Sequence, residues 1–479
     1  MKYETVIGLE VLVELCTKTK IFCACKNEFG AGVNSNCCPG CLAMPGTLPV
    51  INERAVDFAV KAGLALGCRV NRLTKHDRKN YFYPDLTKGY QITQADYPIC
   101  EDGHLDFIVD DSGATKRIGI HRLHIEEDTG KMLHDDSFDG TLIDFNRCGV
   151  PLIEIVTEPD LRCASDAKAF LDTLKAALVA IGVCDGKMQE GSIRCDVNVS
   201  VRSEGQRELG TRVEMKNVST FSGAMRAIEY ESNRQVDVLE RGGLISQETR
   251  RWDDLAGKNF LMRSKEDAQD YRYFPEPDLL SLFVTDERIE ALRAELAELP
   301  HHKTLRFMKR YSLPLFDANL LVESPEKGDF FVKCMEAGDC QSKNISNWIL
   351  GDISRILNER NLGLGDTRLT PDMLCEMVKL IEDKKISNTA GKTVIEIILF
   401  EDKTPMQVVE ERGLSQISDT SALEDIARGV LEANPHTIGQ YKNGKTNVLG
   451  FLVGQCMKQS KGQGNPALLN EILLKMIGE

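Results

Sequence analysis

Residues 5–15 read TVIGLEVLVEL. Leu9, Val11, Val13 and Leu15 are apolar while Glu10 and Glu14 alternate with them, the period of a half-buried strand. One face goes to a core. Side chains two apart on one strand face stand about 7 Å apart, so Glu10, Leu12 and Glu14 form a row on a face otherwise suited to charge, and Leu12 interrupts it.

The same alternation returns in GSIRCDVNVSVR, residues 191–202. Ile193, Cys195, Val197, Val199 and Val201 fill one face; Ser192, Arg194, Asp196, Asn198, Ser200 and Arg202 fill the other. Its expected hairpin partner, TRVEMKNV at 211–218, sets Arg212, Glu214 and Lys216 against Val213 and Met215. A sheet with one wholly polar face is either solvated, the commoner case, or the floor of a site. A further strand is expected over 152–158 and helices over 53–66 and 165–181. The first 290 or so residues therefore read as an α+β unit with a large, mainly antiparallel sheet. From about residue 286 the pattern turns helical, over 286–299, 344–360 and 370–385, the last with Thr370 as N-cap and Pro371 at the first helical position. A short helical unit closes the chain; its last 40 residues hold five lysines against two glutamates. No internal repeat or low-complexity tract is present.

A chain of 479 residues with 42% apolar side chains has material for two to four units with real cores. The net charge of −14 argues against a generally basic nucleic-acid binder and leaves room for a local basic patch. Glu4, Glu10 and Glu14 stand where a signal peptide needs an apolar run, and no stretch offers eighteen apolar residues together, which points to a soluble cytoplasmic protein. Of sixteen cysteines, six lie within the first 41 residues, a cluster that suits metal better than disulfides in a long reduced chain.

Cys23 and Cys25, then Cys38-Pro-Gly-Cys41 with Cys37 adjacent, make two close pairs that can supply the four thiolates of a structural zinc site; incidental thiols are the alternative. Carboxylates cluster as Glu126-Glu127-Asp128, as Glu154 with Glu158, and as Glu190 with Asp196, in a region that also holds His121 and His124. Such oxygen ligands suit Mg²⁺ alongside substrate phosphates, with solvated surface charge as the bland alternative. Residues 75–91, KHDRKNYFYPDLTKGYQ, interleave Lys75, Arg78, Lys79 and Lys88 with Tyr81, Phe82, Tyr83 and Tyr90. Cations hold phosphate and rings stack on unpaired bases, so the blend fits a nucleotide or an RNA end as well as an anchored loop. It recurs in MRSKEDAQDYRYFPEPDL at 262–279. No P-loop, GxGxxG or GxSxG motif appears.

Taken together, these motifs resemble one family, the B subunits of the aspartyl/glutamyl-tRNA amidotransferases (GatB, of the heterotrimeric GatCAB enzyme). The resemblance runs through CxC…CPxC, DRKNYFYPDLxKGYQIxQ, HxEEDxGK, DFNRxGxPLIEIVxEPD, EGSxRCDxNVSVR, ExKN, QETRxWD and DYRYFPEPDL to KNGKxxxxGFLVGQxMKxxKGxxNP, and so covers essentially the whole chain. It implies a cradle-like catalytic domain over 1–293, a helical linker domain over 294–404 and a helical tRNA-binding tail over 405–479. The implied reaction phosphorylates the side-chain carboxylate of Glu-tRNA(Gln) or Asp-tRNA(Asn) with ATP and lets ammonia displace the phosphate. An amidase partner, GatA, would supply the ammonia from glutamine, with the small GatC completing the heterotrimer. On the resemblance, Glu10, Glu127 and Glu154 are the candidate Mg²⁺ ligands, with Glu126 the alternative to Glu127. Arg78, Lys79 and Arg194 would handle phosphate, Tyr81 and Tyr83 the terminal adenosine, and Cys23, Cys25, Cys38 and Cys41 zinc. The departure is at position 12, where the family pattern GLEVHVEL has a histidine and this chain has leucine, which neither coordinates nor donates. Activity is expected to survive because the other motifs are intact; the alternative is an impaired or non-catalytic zinc-containing tRNA-binding subunit.

Overall fold

The computed structural model describes residues 2–134, 139–218, 220–264, 271–416, 420–442, 447–460 and 463–478. The chain divides into two compact units, Met1–Lys303 and Thr304–Glu479.

In the first unit the opening strand, Tyr3–Glu14, lies at the centre of a nine-stranded sheet. To one side follow Ile193–Ser203, Val213–Val218, Glu248–Asp253 and Lys258–Ser264; to the other, Pro151–Thr157, Thr115–Glu127, Cys100–Ile108 and Arg69–Val70. Every neighbouring pair is antiparallel except Val213–Val218 with Glu248–Asp253, so the α+β expectation with a mainly antiparallel sheet holds. Leu9, Val11 and Val13 are buried together with Val197, Ile155 and Leu123 from the flanking strands. The helices Glu53–Ala65, Ala164–Ala180 and Phe221–Glu240 cover that face, contributing Phe58, Phe170 and Ala224 to the same cluster. The helix starts are fixed locally: the Asn52 side chain accepts from the Arg54 amide at 2.9 Å and the Thr220 hydroxyl from the Gly223 amide at 2.9 Å, each satisfying an orphan donor of the first turn. With three helices on one face, the even-numbered residues of the opening strand are left on the other.

The second unit is helical. One apolar cluster runs from Phe307 to Val409 and a separate one from Leu423 to Ile477; the helix Pro405–Arg412 packs with the first through Val408 and Val409. Thr370 caps Pro371–Glu382 as its sequence suggests, accepting from the Met373 amide. The stretch 344–360, read as one helix, contains a π turn over Ile349–Ile353 between the α segments Ser342–Trp348 and Ser354–Arg360.

Candidate active site on the polar face of the sheet

Register sets the polar face in rows, because paired residues of an antiparallel ladder point the same way. Glu10 stands opposite Asp196 on one side and Val156 on the other, and Val156 opposite Arg122. One row along, Leu12 stands between Arg194 and Glu154, and Glu154 opposite His124. In the next, Glu14 pairs with Leu152 and Leu152 with Glu126.

Two groups of donors form on this face, each with its ligand atoms within 4.8 Å of one another: His124, Glu126 and Glu154, and Glu10, Asp196 and Glu214. In the first, His124 Nε2 lies 3.6 Å from an oxygen of Glu126 and 3.6 Å from one of Glu154, while Nδ1 is buried with no hydrogen-bond partner among the described residues. Burial, with Glu126 and Glu10 nearby, pushes the Glu154 carboxyl up to about 7 against the opposing pull of His124 and Lys79. Glu126 is fully enclosed, which disfavours its charge, yet His124, Lys79 and the Thr93 hydroxyl at 3.3 Å hold it below the ordinary value. Lys79 reaches this group from the strand Asp77–Asn80, its ammonium 5.0 Å from the Tyr271 ring. Burial alone would lower the Lys79 pKa; Glu126, Tyr273 and Glu154 outweigh it and raise it. The residues enclose a cleft of about 480 Å³ that also takes in Glu10, Arg122 and Arg212. A row of carboxylates, one of them held near neutrality by its neighbours, with a histidine between two of them, is a donor set that a divalent cation would satisfy.

The other sequence-predicted residues are placed as follows. Glu10 accepts from Asn198 Nδ2 at 2.9 Å and belongs to the second group. Glu127 points away from the cleft, since successive side chains of a strand face opposite sides: its carboxylate takes Lys88 and the Ile92 amide (2.9 Å) and faces a separate cavity of about 290 Å³ beside Cys23 and Cys41. Of the adjacent pair, Glu126 joins Glu154 and Glu127 does not. Arg78 is bound in a fork by Glu276 at 2.7 and 2.7 Å, with Asp278 at 3.3 Å and the Tyr90 ring 4.2 Å away. Arg194 grips Asp128 at 2.5 Å, with Glu14 close by. Tyr81 stacks edge-on against Tyr271 at 6.0 Å, and Tyr83 stands half exposed. Residues 265–270 of the second aromatic-basic stretch lie outside the described residues, as do 443–446 and 461–462 of the closing motif. Arg122 and Tyr273, which line the cleft, were not singled out from sequence; Arg122 shares its strand face with His124 and Glu126, and that two-residue spacing was the available signal.

The cysteines converge independently of this face. Cys41 Sγ lies 3.5 Å from Cys23, 3.8 Å from Cys38 and 3.8 Å from Cys25. A tetrahedron with Zn–S bonds of about 2.3 Å has edges of about 3.8 Å, which the three distances from Cys41 approach, and all four sulfurs lie within 4.8 Å of one another. Contact with Cys23 holds the Cys41 thiol well below the ordinary value, and the buried Lys20 ammonium stands 3.4 Å from the same sulfur. Cys37 turns outward to the Asn34 carbonyl at 3.3 Å. Among the described residues no helix is long and apolar enough to cross a membrane.

Residues 5–290 match the family model of the GatB/GatE catalytic domain, and residues 329–477 that of the GatB domain. The chain is 52% identical over 476 residues to the aspartyl/glutamyl-tRNA(Asn/Gln) amidotransferase B subunit of Caldicellulosiruptor saccharolyticus, covering 99% of this chain and 98% of that protein. It is 52% identical over 474 residues to the protein of the same name from Caldanaerobacter subterraneus subsp. tengcongensis, covering 99% of each. The corresponding protein of Clostridium botulinum is 47% identical over 478 residues, covering 100% of this chain and 99% of that one. An amidotransferase subunit is the class of protein that these matches define. Within that class, the chain belongs to the GatB family, the B subunits of the aspartyl/glutamyl-tRNA amidotransferases.

Proposed function

We infer that this protein carries out the carboxylate-activating half of a tRNA-dependent amidation, converting Glu-tRNA(Gln) or Asp-tRNA(Asn) to the amide form in the cytoplasm at the expense of ATP. The observation that carries it is the convergence of His124, Glu126, Glu154 and Lys79 in one cleft of about 480 Å³ on the polar face of the sheet. A carboxylate is a poor electrophile because oxide does not leave; an acyl phosphate has a leaving group, so ATP must first meet the side chain of the charged tRNA. A bound Mg²⁺ would neutralise phosphate charge during that transfer. His124, Glu126 and Glu154 are the residues that would hold it. Lys79, half-buried and kept protonated by the surrounding carboxylates, offers its ammonium to the transferred group, while Tyr81 and Tyr83 offer ring faces to the terminal adenosine of the tRNA.

None of this requires a side chain at position 12. The alternative, a non-catalytic tRNA-binding protein, is weakened because the first donor group assembles without that position. Ammonia would come from the amidase partner GatA within a heterotrimer completed by GatC, since this chain has no nucleophile motif of its own. The cysteine knuckle would hold a structural zinc, and the lysine-bearing tail over 405–479 would contact the tRNA body, with 294–404 as the linker domain.

The test is transfer of the γ-phosphate of ATP to Glu-tRNA(Gln) or Asp-tRNA(Asn), assayed with ammonia supplied directly so that the amidase does not limit. Transfer that depends on the misacylated tRNA is expected; ATP consumption indifferent to it, or none at saturating Mg²⁺, would defeat the reading.

A further inference from the structure

The cations that the family resemblance marks for phosphate are largely spoken for within the protein. Arg78 is closed in a two-toothed contact with Glu276, and Arg194 is held by Asp128. Two other arginines line the same cleft and are not. Arg122 stands in the row of Val156 and Glu10, and its only hydrogen bond among the described residues is to the Ala95 carbonyl, at 3.2 Å from Nη1. Arg212 precedes the strand Val213–Val218 on the face of Glu214 and is exposed, with no hydrogen-bond or ion-pair partner among the described residues. Neither guanidinium makes an ion pair with Glu10 or Glu154 among the described residues, and Arg122 spends one donor on a backbone carbonyl, which leaves the remaining donors for an incoming anion.

We propose that Arg122 and Arg212, rather than Arg78 and Arg194, bind the triphosphate of the nucleotide, each from the rim of the cleft whose floor carries His124, Glu126 and Glu154. This rests on the reading above that the cleft takes ATP. The chemistry favours a polyphosphate over an internucleotide phosphate of the tRNA. A chain of phosphates carries enough charge to be shared between a cation on the acidic floor and guanidinium groups at the rim, whereas a single diester carries one charge and has no use for an acidic floor beneath it. The cleft volume lies within the range of small-molecule sites, about 300–1,000 Å³. Arg78 and Arg194 become positioning residues: Arg78 ties the strand Asp77–Asn80, and with it Lys79, to Glu276 on the segment that follows Phe274–Pro275.

The test is equilibrium binding to the full chain in its complex with the partner proteins, using three probes in parallel: ATP with Mg²⁺, adenosine, and uncharged tRNA. Arg122→Ala and Arg212→Ala are each expected to weaken ATP by about tenfold or more, to leave adenosine and tRNA unchanged, and to be partly restored by Arg122→Lys and Arg212→Lys. Because Arg212 is exposed, its variant serves where Arg122→Ala alters the melting temperature. Unchanged ATP binding in both alanine variants would overturn the assignment while leaving the phosphorylation reading intact. Loss confined to tRNA would move the arginines to the nucleic acid and overturn it as well. An unaltered complex that binds no ATP would defeat the phosphorylation reading and this assignment together.

Discussion

The two donor groups on the polar face differ in how their charge is balanced. Glu10, Asp196 and Glu214 are answered from within: Lys216 reaches Asp196 at 3.0 Å and Glu214 at 3.1 Å, Asn198 donates to Glu10, and the Thr249 hydroxyl to Glu214 at 3.0 Å. Around His124, Glu126 and Glu154 the ammonium of Lys79, in the same cleft, makes no ion pair among the described residues, and Glu154 is driven towards neutrality instead. Nearly the same residue types on one sheet thus give one finished group, balanced from within, and one waiting group, whose charge a cation would balance. Leu12 lies beside the waiting group, directly opposite Glu154.

The sharpest way to break this contrast is Glu154→Gln. It removes a ligand from the waiting group and is expected to lower tRNA-dependent ATP turnover on the order of a hundredfold with little loss of thermal stability; a stability loss with activity retained would reverse the roles of the two groups. Lys216→Met should do the opposite. It strips the finished group of its cation, and unfolding measurements should show a loss of about 1–2 kcal/mol, discounted for a lysine side chain that is 36% exposed.

A third carboxylate sharpens the comparison through pH. Glu14 is raised from 4.5 to about 7 by burial and by Asp128, against Arg194 and Arg147. The folded state then holds the proton more tightly than the unfolded chain. The contribution is fully present below about pH 4.5, falls as pH rises, and is lost above about 7, a difference of about 1 kcal/mol after discounting. Glu14→Gln should flatten the stability profile over that window, as read by melting temperature between pH 4.5 and 7.5; an unchanged slope would show that the proton is not taken up there. The smallest effect is expected from Leu12→His. An imidazole opposite Glu154 adds a ligand, so the Mg²⁺ concentration for half-maximal turnover should fall a few-fold, and no change would mean that position 12 does not face the cation.

Much of this architecture was legible in the alternation of 5–15 and 191–202, because a period of two decides which residues share a face before any partner strand is known. The opening strand runs from Tyr3 to Glu14, within two residues of expectation, and its alternating Leu9, Val11 and Val13 are buried while Leu12 is only half-buried. What the pattern cannot supply is register. Glu126 and Glu127 are equivalent as neighbours in sequence; only the pairing of Glu154 with His124 shows that the even-numbered one shares the cleft. Long-range pairing is equally hidden: Arg78 looks free until Glu276, 198 residues away, closes on it. Arg122 and Arg212 carry no motif, and that neither makes an ion pair among the described residues is seen only in the fold. The π turn at Ile349–Ile353 left no mark on the helical periodicity around it.

The most direct measurement is a Mn²⁺ titration of the metal-stripped complex, with the cysteine site reloaded with zinc, comparing the unaltered protein with Glu154→Gln and Asp196→Asn. A tight site that is lost in Glu154→Gln and retained in Asp196→Asn is the result the charge balance predicts. A site lost in Asp196→Asn and untouched in Glu154→Gln would contradict it.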